Sequence, residues 1–355
     1  MAYTTINKHT DHFNTKLWTG TGANLSITGV GHQPDFTWIK NRANTDDHNL
    51  FDVLRGFSTD SLLRSNTSGA ATDTTEGIKS FDSDGFSLGN NGSSNGNGQG
   101  MVSWNWKANG AGSANTDGSI NSTVSVNTTA GFSIVSYTGN ETQGATVGHG
   151  LGVTPKIILV KNRDSTLGDG EVDWVMYHES TGNTKGTVLN SNAATETVNG
   201  FWNDTSPTSS VFTIGGGSQG GRYKTNKNND GYIAYCFAEK TGYSKFGSVN
   251  GNGNASGTFV YTGFAPSFVL YRKYNGAGDW YFVDNKRPGY NDNDKRLYAN
   301  TNQAEETYDF INLYSNGFKL TNSTHTYTND SSGTYMYMAF GQSLVGSNNV
   351  PCTAR

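Results

Sequence analysis

The chain has 355 residues and a formal net charge of −4. Its 25 Lys and Arg do not cluster into a track that would follow a phosphate backbone, which argues against nucleic-acid binding. It lacks any run of about 18 apolar residues, which excludes a helical membrane span. Only 15% of residues are charged, against a usual share of about 25%, and Gly is 46 of 355, about twice the usual share of about 7%. Asn, Ser and Thr supply the missing polarity. Such a composition can signal disorder. Here aromatics reach 12% and sit inside periodic apolar runs, so a core is expected.

Residues 1–14 are polar and lack the apolar stretch of a secretory leader. They have no counterpart ahead of later repeats and are expected to form an N-terminal assembly arm, with Tyr3, Ile6 and Phe13 as contact residues. Arms outside a core are mobile unless a partner orders them.

The phrase Gly31-His32-Gln33-Pro34, followed by Phe36-Thr37-Trp38-Ile39-Lys40-Asn41-Arg42, opens the first of three repeats. It returns as Gly152-Val153-Thr154-Pro155 with Ile157-Ile158-Leu159-Val160-Lys161-Asn162-Arg163. It returns again as Gly263-Phe264-Ala265-Pro266 with Phe268-Val269-Leu270-Tyr271-Arg272-Lys273. The prolines lie 121 residues apart (34 to 155) and then 111 (155 to 266), spacings of domain size. Each proline precedes a strand, where its missing N–H removes no ladder bond. Next comes an apolar run beside an acid: Asn49-Leu50-Phe51-Asp52, Asp173-Trp174-Val175-Met176 and Asp279-Trp280-Tyr281-Phe282. A Leu followed by an Asn comes next, in Leu63-Arg64-Ser65-Asn66, Leu189-Asn190-Ser191-Asn192 and Leu297-Tyr298-Ala299-Asn300. A phenylalanine strand then holds Phe86, Phe212 or Phe318. An aromatic strand closes each repeat at Trp104-Asn105-Trp106, Tyr235-Cys236-Phe237 and Met338-Ala339-Phe340.

Apolar and polar residues alternate in Phe132-Ser133-Ile134-Val135-Ser136-Tyr137, Thr258-Phe259-Val260-Tyr261 and Tyr335-Met336-Tyr337-Met338. Side chains alternate faces along a strand, so these segments bury one face. Turn clusters separate them, and no helical stripe recurs. The expected fold is all-β: three tandem related β-sandwich domains of jelly-roll, lectin-like type. The expected division is 15–116, 117–240 and 241–345, with a tail at 346–355.

The chemistry-bearing motifs are sparse. Asp82-Ser83-Asp84-Gly85 begins like a calcium loop, but the twelfth place is Ser93 rather than an acid, so it reads as a tight turn. His149, His178 and His325 fall at unmatched places in the repeats. Gly215-Gly216-Gly217-Ser218-Gln219-Gly220-Gly221 lacks the Lys-Ser/Thr ending of a phosphate loop. Cys236 and Cys352 stand 116 residues apart (236 to 352); Cys236 reads as a small buried hydrophobe. A polysaccharide depolymerase needs paired carboxylates converging in a groove, and this acid-poor chain repeats no such pair. No catalytic, cofactor or metal site is expected, and the chain reads as a non-enzyme. Trp202, Tyr223, Tyr274 and Tyr290 lie in polar loop contexts and are the candidates for stacking on a glycan.

Met1-Ala2-Tyr3-Thr4-Thr5-Ile6, Gln33-Pro34-Asp35-Phe36-Thr37-Trp38, Phe81-Asp82-Ser83-Asp84-Gly85-Phe86, Gly242-Tyr243-Ser244-Lys245-Phe246-Gly247 and Pro351-Cys352-Thr353-Ala354-Arg355 together span nearly the whole chain. In these stretches it resembles a family of virion structural proteins, tail- or fibre-like, from marine and cyanobacterial tailed phages. The resemblance implies lectin-like jelly-roll units, location in the virion, and other virion proteins as partners. It brings no catalytic residues. The expected role is a tail-fibre or receptor-binding component that recognises the host surface, the alternative being a capsid decoration or head-fibre protein. A homo-oligomer, a trimer, would present weak glycan contacts together.

Overall fold

The computed structural model describes residues 3–164, 172–288, 291, 295–321 and 327–346. The chain is nearly all β, with 41% strand against 3% helix, and its sheets are antiparallel. The first repeat contributes β1 (Phe13–Thr19), β2 (Leu25–Thr28), β3 (Phe36–Asn41), β4 (Asn49–Asp52), β5 (Ile78–Asp82), β6 (Gly85–Leu88), the one-turn α1 (Gly92–Asn95) and β7 (Gly100–Trp106). They form a large sheet, β1-β7-β3-β4, and a small one, β2-β6-β5.

The second repeat contributes β8 (Ser113–Asn115), β9 (Ser122–Asn127), β10 (Phe132–Thr138), β11 (Thr146–Gly148), β12 (Ile157–Asn162), β13 (Val175–His178), β14 (Lys185–Val188), β15 (Glu196–Thr197), β16 (Val211–Thr213), α2 (Tyr223–Asn226) and β17 (Gly231–Phe237). Its large sheet runs β15-β14-β13-β12-β17-β10-β9-β8 and its small one pairs β11 with β16. Strand β8 lies before the expected division at 116, yet it pairs with β9 and so extends the second sheet.

The third repeat contributes β18 (Ser244–Asn250), β19 (Phe259–Tyr261), β20 (Ala265–Lys273), β21 (Tyr281–Asp284), β22 (Lys295–Tyr298), β23 (Glu306–Thr307), β24 (Ile311–Tyr314), β25 (Gly317–Leu320) and β26 (Thr334–Gln342). Its sheets are β18-β26-β20-β21-β22-β23 and β19-β25-β24.

One strand order therefore occurs three times: β1-β7-β3-β4, β10-β17-β12-β13 and β18-β26-β20-β21. The register also repeats. Phe36 faces Trp106, Ile157 faces Phe237 and Phe268 faces Phe340. The three prolines each stand two residues before these aligned positions.

The central strands are buried on both faces, and their side chains divide by the two-residue period of a strand. In β17, Ile233, Tyr235 and Phe237 enter one cluster, while Tyr232, Ala234 and Cys236 enter another. In β26, Met336, Met338 and Phe340 separate in the same way from Tyr335, Tyr337 and Ala339. The first-named residues of each strand meet in one common core with Val102, Trp104 and Trp106 of β7. The second-named residues stay in a core private to their repeat, under its small sheet. The large sheets thus face one another across a shared centre. Phe36 stacks on Tyr235 at 4.1 Å and Trp104 on Phe282 at 4.2 Å, between repeats. At the centre lies a cavity of about 20 Å³ walled by side chains of all three repeats, among them Trp106, Tyr235 and Phe282. A void with apolar walls stays dry.

The seams between repeats obey one rule of succession. Trp174 Nε1 donates to Arg64 O of the first repeat, and Trp280 Nε1 to Val188 O of the second. His48 Nε2 bonds Tyr298 O of the third, closing the cycle. Ala71 N donates to Arg163 O, Thr195 N to Tyr274 O and Glu305 N to Arg42 O, again once per seam. Behind each seam an Asn holds the loop. Asn66, Asn190 and Asn300 accept from the backbone N–H of His48, Trp174 and Trp280. Their amides donate to Asp47, Asp173 and Asp279, each at 2.7 Å. The acid that matches Asp173 and Asp279 is therefore Asp47. Asp52, paired with them by sequence, lies one strand length further and serves a separate purpose. With Arg55 it forms a fully buried pair at 2.6 Å, and it accepts from Tyr235 Oη of the second repeat at 2.8 Å. Asp284 and Arg287 repeat that pair at 2.7 Å, with Trp104 Nε1 of the first repeat as donor.

The segment expected to form an N-terminal assembly arm packs within the chain. Residues 3–12 lie along the third repeat: His9 N donates to Gln342 Oε1 at 2.9 Å, Gln342 Nε2 to Asn7 O at 3.1 Å and Tyr3 Oη to Gly263 O at 3.0 Å. Ile6 and Phe13 are buried in the common core and are occupied within the chain itself.

Candidate functional site

Six large hydrophobic residues are exposed among the described ones, and they are unevenly placed. Phe259 (43%), Tyr261 (58%) and Tyr314 (42%) belong to the small sheet of the third repeat, and Tyr3 (42%) lies against its edge. The face follows from strand register. Val260 pairs with Phe318 and points inward, as Ile27 does opposite Phe86 and Val147 opposite Phe212. Residues on either side of these inward positions must then point out. In the first repeat the outward places hold Ser26, Thr28, Ser80, Asp82, Gly85 and Ser87. In the third they hold Phe259, Tyr261, Asn312, Tyr314, Gly317 and Lys319.

Gly317 lies between Tyr261 on one side and Tyr314 on the other. A Cβ there would strike the Val260 carbonyl and the ring of Phe259. Phe259 and Tyr314 meet edge to face at 5.9 Å, and the tip of the Phe259 ring lies over Gly317, so the rings form a connected relief. Lys245 Nζ stands 5.8 Å from the Tyr261 ring centre, and Lys319 Nζ donates to Ser256 Oγ at 2.9 Å. The surface thus offers apolar ring faces with cationic and hydroxyl groups at the rim. Burial and the neighbouring Tyr261 hydroxyl raise the Tyr3 phenol above its ordinary pKa.

The four residues expected to stack on glycan lie elsewhere. Trp202 is buried at 1% exposure, packed edge to face on Tyr177, which corrects its reading as an exposed loop residue. Its sequence neighbours are polar because the chain turns there, while the indole itself fills the private core of the second repeat. Tyr223 is half-buried under the Arg222 guanidinium, 4.1 Å from the ring centre, and accepts a hydrogen bond from it. Tyr274 is half-buried at the seam between the second and third repeats. Tyr290 lies outside the described residues. Sequence reasoning missed Phe259, Tyr261 and Tyr314 because it sought exposed rings in loops. Aligning Val260 with Ile27 and Val147 would have marked Phe259 and Tyr261 as outward.

Other motifs resolve into structural uses. Asp84 accepts from Gly29 N and Gly31 N, which lowers its pKa, and Asp82 accepts from Ser80 and Ser87 hydroxyls. Cys236 is a free buried thiol whose pKa burial raises, and Cys352 lies outside the described residues. Lys40, Lys161 and Arg272 occupy one repeated position and are fully buried. Burial pushes their pKa down to about 8, about 7 and about 10. Lys161 directs its ammonium at the carbonyls of Asn162, Val172 and Ser68, the last across a seam. Lys161 and Arg272 fasten seams through backbone carbonyls of the neighbouring repeat, whereas Lys40 donates to Asn41 O and Asn44 O within its own. Among the described residues, no three His, Cys, Asp or Glu side chains converge as metal ligands would. Among the same residues, no helix is long and apolar enough to cross a membrane.

The chain belongs to the family described as a domain of unknown function, DUF7483, which matches residues 8–343. Comparison with curated proteins and with solved structures finds no match.

Proposed function

We propose that the chain is a structural protein of a phage virion, placed as a tail-fibre or receptor-binding component that recognises the host surface. The observation that carries the reading is the exposed aromatic face on the small sheet of the third repeat, at positions where the first repeat carries Ser, Thr and Asp. Contiguous exposed apolar patches of this kind mark interaction sites. In this reading each repeat is a jelly-roll, lectin-like sandwich, its large sheet packed on its small sheet over a private core. The three act as one presenting body. Partners are other virion proteins and a surface glycan of the host, and assembly as a homotrimer would multiply weak contacts.

The test is location together with binding. Gold-labelled antibody against the chain should decorate the tail of purified virions in a few copies, and the fluorescent chain should bind host cells. Label at every capsomer, with no cell binding by the assembled oligomer, would replace the proposal with a capsid decoration or head-fibre role.

A further inference from the structure

We infer that the outer face of the sheet β19-β25-β24 is a sugar-stacking surface for a pyranose-containing polysaccharide. The inference rests on the host-attachment reading only for the source of that glycan. A pyranose ring has an apolar C–H face and a rim of hydroxyl oxygens. The first needs an open aromatic face, and the second needs donors beside it. Tyr261 and Tyr314 are exposed on either side of Gly317, and the Phe259 ring, which lies over that glycine, adjoins Tyr314 at 5.9 Å to make one aromatic surface. Lys245 and Lys319 stand beside the rings and carry the donors.

Size separates this occupant from a protein. A whole aromatic side chain covers about 150–250 Å². Four rings exposed at 42–58% therefore offer roughly 400 Å². A stable protein interface takes about 800 Å² from each partner. The patch is half of that, and polar side chains adjoin it, as at Asn312 on the same face and Ser256 beside Lys319.

Restriction to one repeat is the second support. The matching outward positions are Ser26 and Thr28 in the first repeat and Thr146 and Gly148 in the second. Rings at Phe259 and Tyr261 are therefore not required by the pairing, because the matching strand pairs β2-β6 and β11-β16 form without them.

The experiment uses the full chain on a printed array of bacterial O-antigen oligosaccharides and capsular polysaccharides. The wild type is compared with Tyr261→Ser/Tyr314→Ser and with Thr28→Ala as a control on the first repeat. We expect binding to a subset of pyranosides that falls at least ten-fold in the double variant and is unchanged in the control, with equal melting temperatures. Absence of binding to any arrayed glycan, or binding that survives the double substitution, overturns the site. Sedimentation serves as the third arm. Self-association of the wild type that the double variant abolishes would show that a second copy covers this face, and would also overturn it. Cell binding that survives the double substitution would overturn this site and leave host attachment standing. Array binding by a chain found on the capsid would do the reverse.

Discussion

Trp174 and Trp106 are both buried and differ in one atom's company. Trp174 Nε1 donates across a seam to Arg64 O, whereas Trp106 Nε1 has no partner. Replacing Trp174 by Phe leaves a part-buried carbonyl without this donor and should destabilise the chain by about 1 kcal/mol beyond the loss of volume. Trp106→Phe should lack that increment, while Trp106→Ala should cost about 3–5 kcal/mol as a large buried deletion. Urea unfolding of the three variants measures the difference. The Asp52–Arg55 pair gives a sharper test. Asp52→Asn leaves a fully buried guanidinium without its counter-ion, and removal of one such partner costs about 3–5 kcal/mol. At this scale the sequence is ambiguous for a physical reason. Asp47 and Asp52 both adjoin the same apolar run, and only pairing through Asn66 shows which of them matches Asp173.

Strands were the most legible elements. The apolar run after each proline and the closing aromatic strand stand where period and spacing put them. Pro34 and Pro155 precede their strands, whereas Pro266 lies inside β20, beside a register shift where the regular ladder is interrupted. Less legible was which face each residue takes. A run buried on both sides, such as Ile157–Val160, does not say which side is the private core and which the common one. Nor does a polar N-terminal segment reveal that it is tied down. Residues 3–12 bridge the first and third repeats through Gln342 and Gly263, the one seam that no linker of the chain spans. Deleting residues 1–11 should therefore lower the melting temperature by several degrees and open that seam. Hydrogen exchange should show faster exchange in β1, β18 and β26 than in β10 and β12. Unchanged melting with lost virion incorporation would instead return the segment to an assembly role.

For the molecule as a whole, the common core removes the independence that tandem repeats usually keep. Trp106, Phe237 and Phe340 lie within 6.2 Å of one another in successive ring contacts, so no repeat can leave without uncovering the other two. Calorimetry should show one transition for the full chain, and the segment 117–240 expressed alone should expose its half of the core and aggregate. Acid should weaken the fold in a defined window. Burial holds His48 down to about 3 and His178, His32 and His9 down to about 4, against about 6.5 when unfolded. Protons thus bind the unfolded chain first. The contribution of these neutral imidazoles is complete above pH 6.5 and is lost as pH falls toward 4. The urea midpoint should drop steadily from pH 7 to pH 4.5, and His178→Asn should flatten the slope. A midpoint constant over that range would show that these rings become charged without penalty.

The closed cycle of seams has a consequence for how the molecule can change. A ring of three identical subunits writes every substitution three times, so a ring-rich patch on one face would appear on all faces and invite association. When the three parts share one polypeptide, that copying stops. A seam residue such as Trp174, Trp280 or His48 remains bound by its neighbours, while the outer sheets drift separately. Phe259 and Tyr261 stand in one third of the perimeter, while the other two thirds hold Ser26 and Thr28 or Thr146 and Gly148 at the matching places. With three repeats in one chain, a nearly symmetric body can have a front and a back, and so a direction, without loss of the packing that the repetition provides.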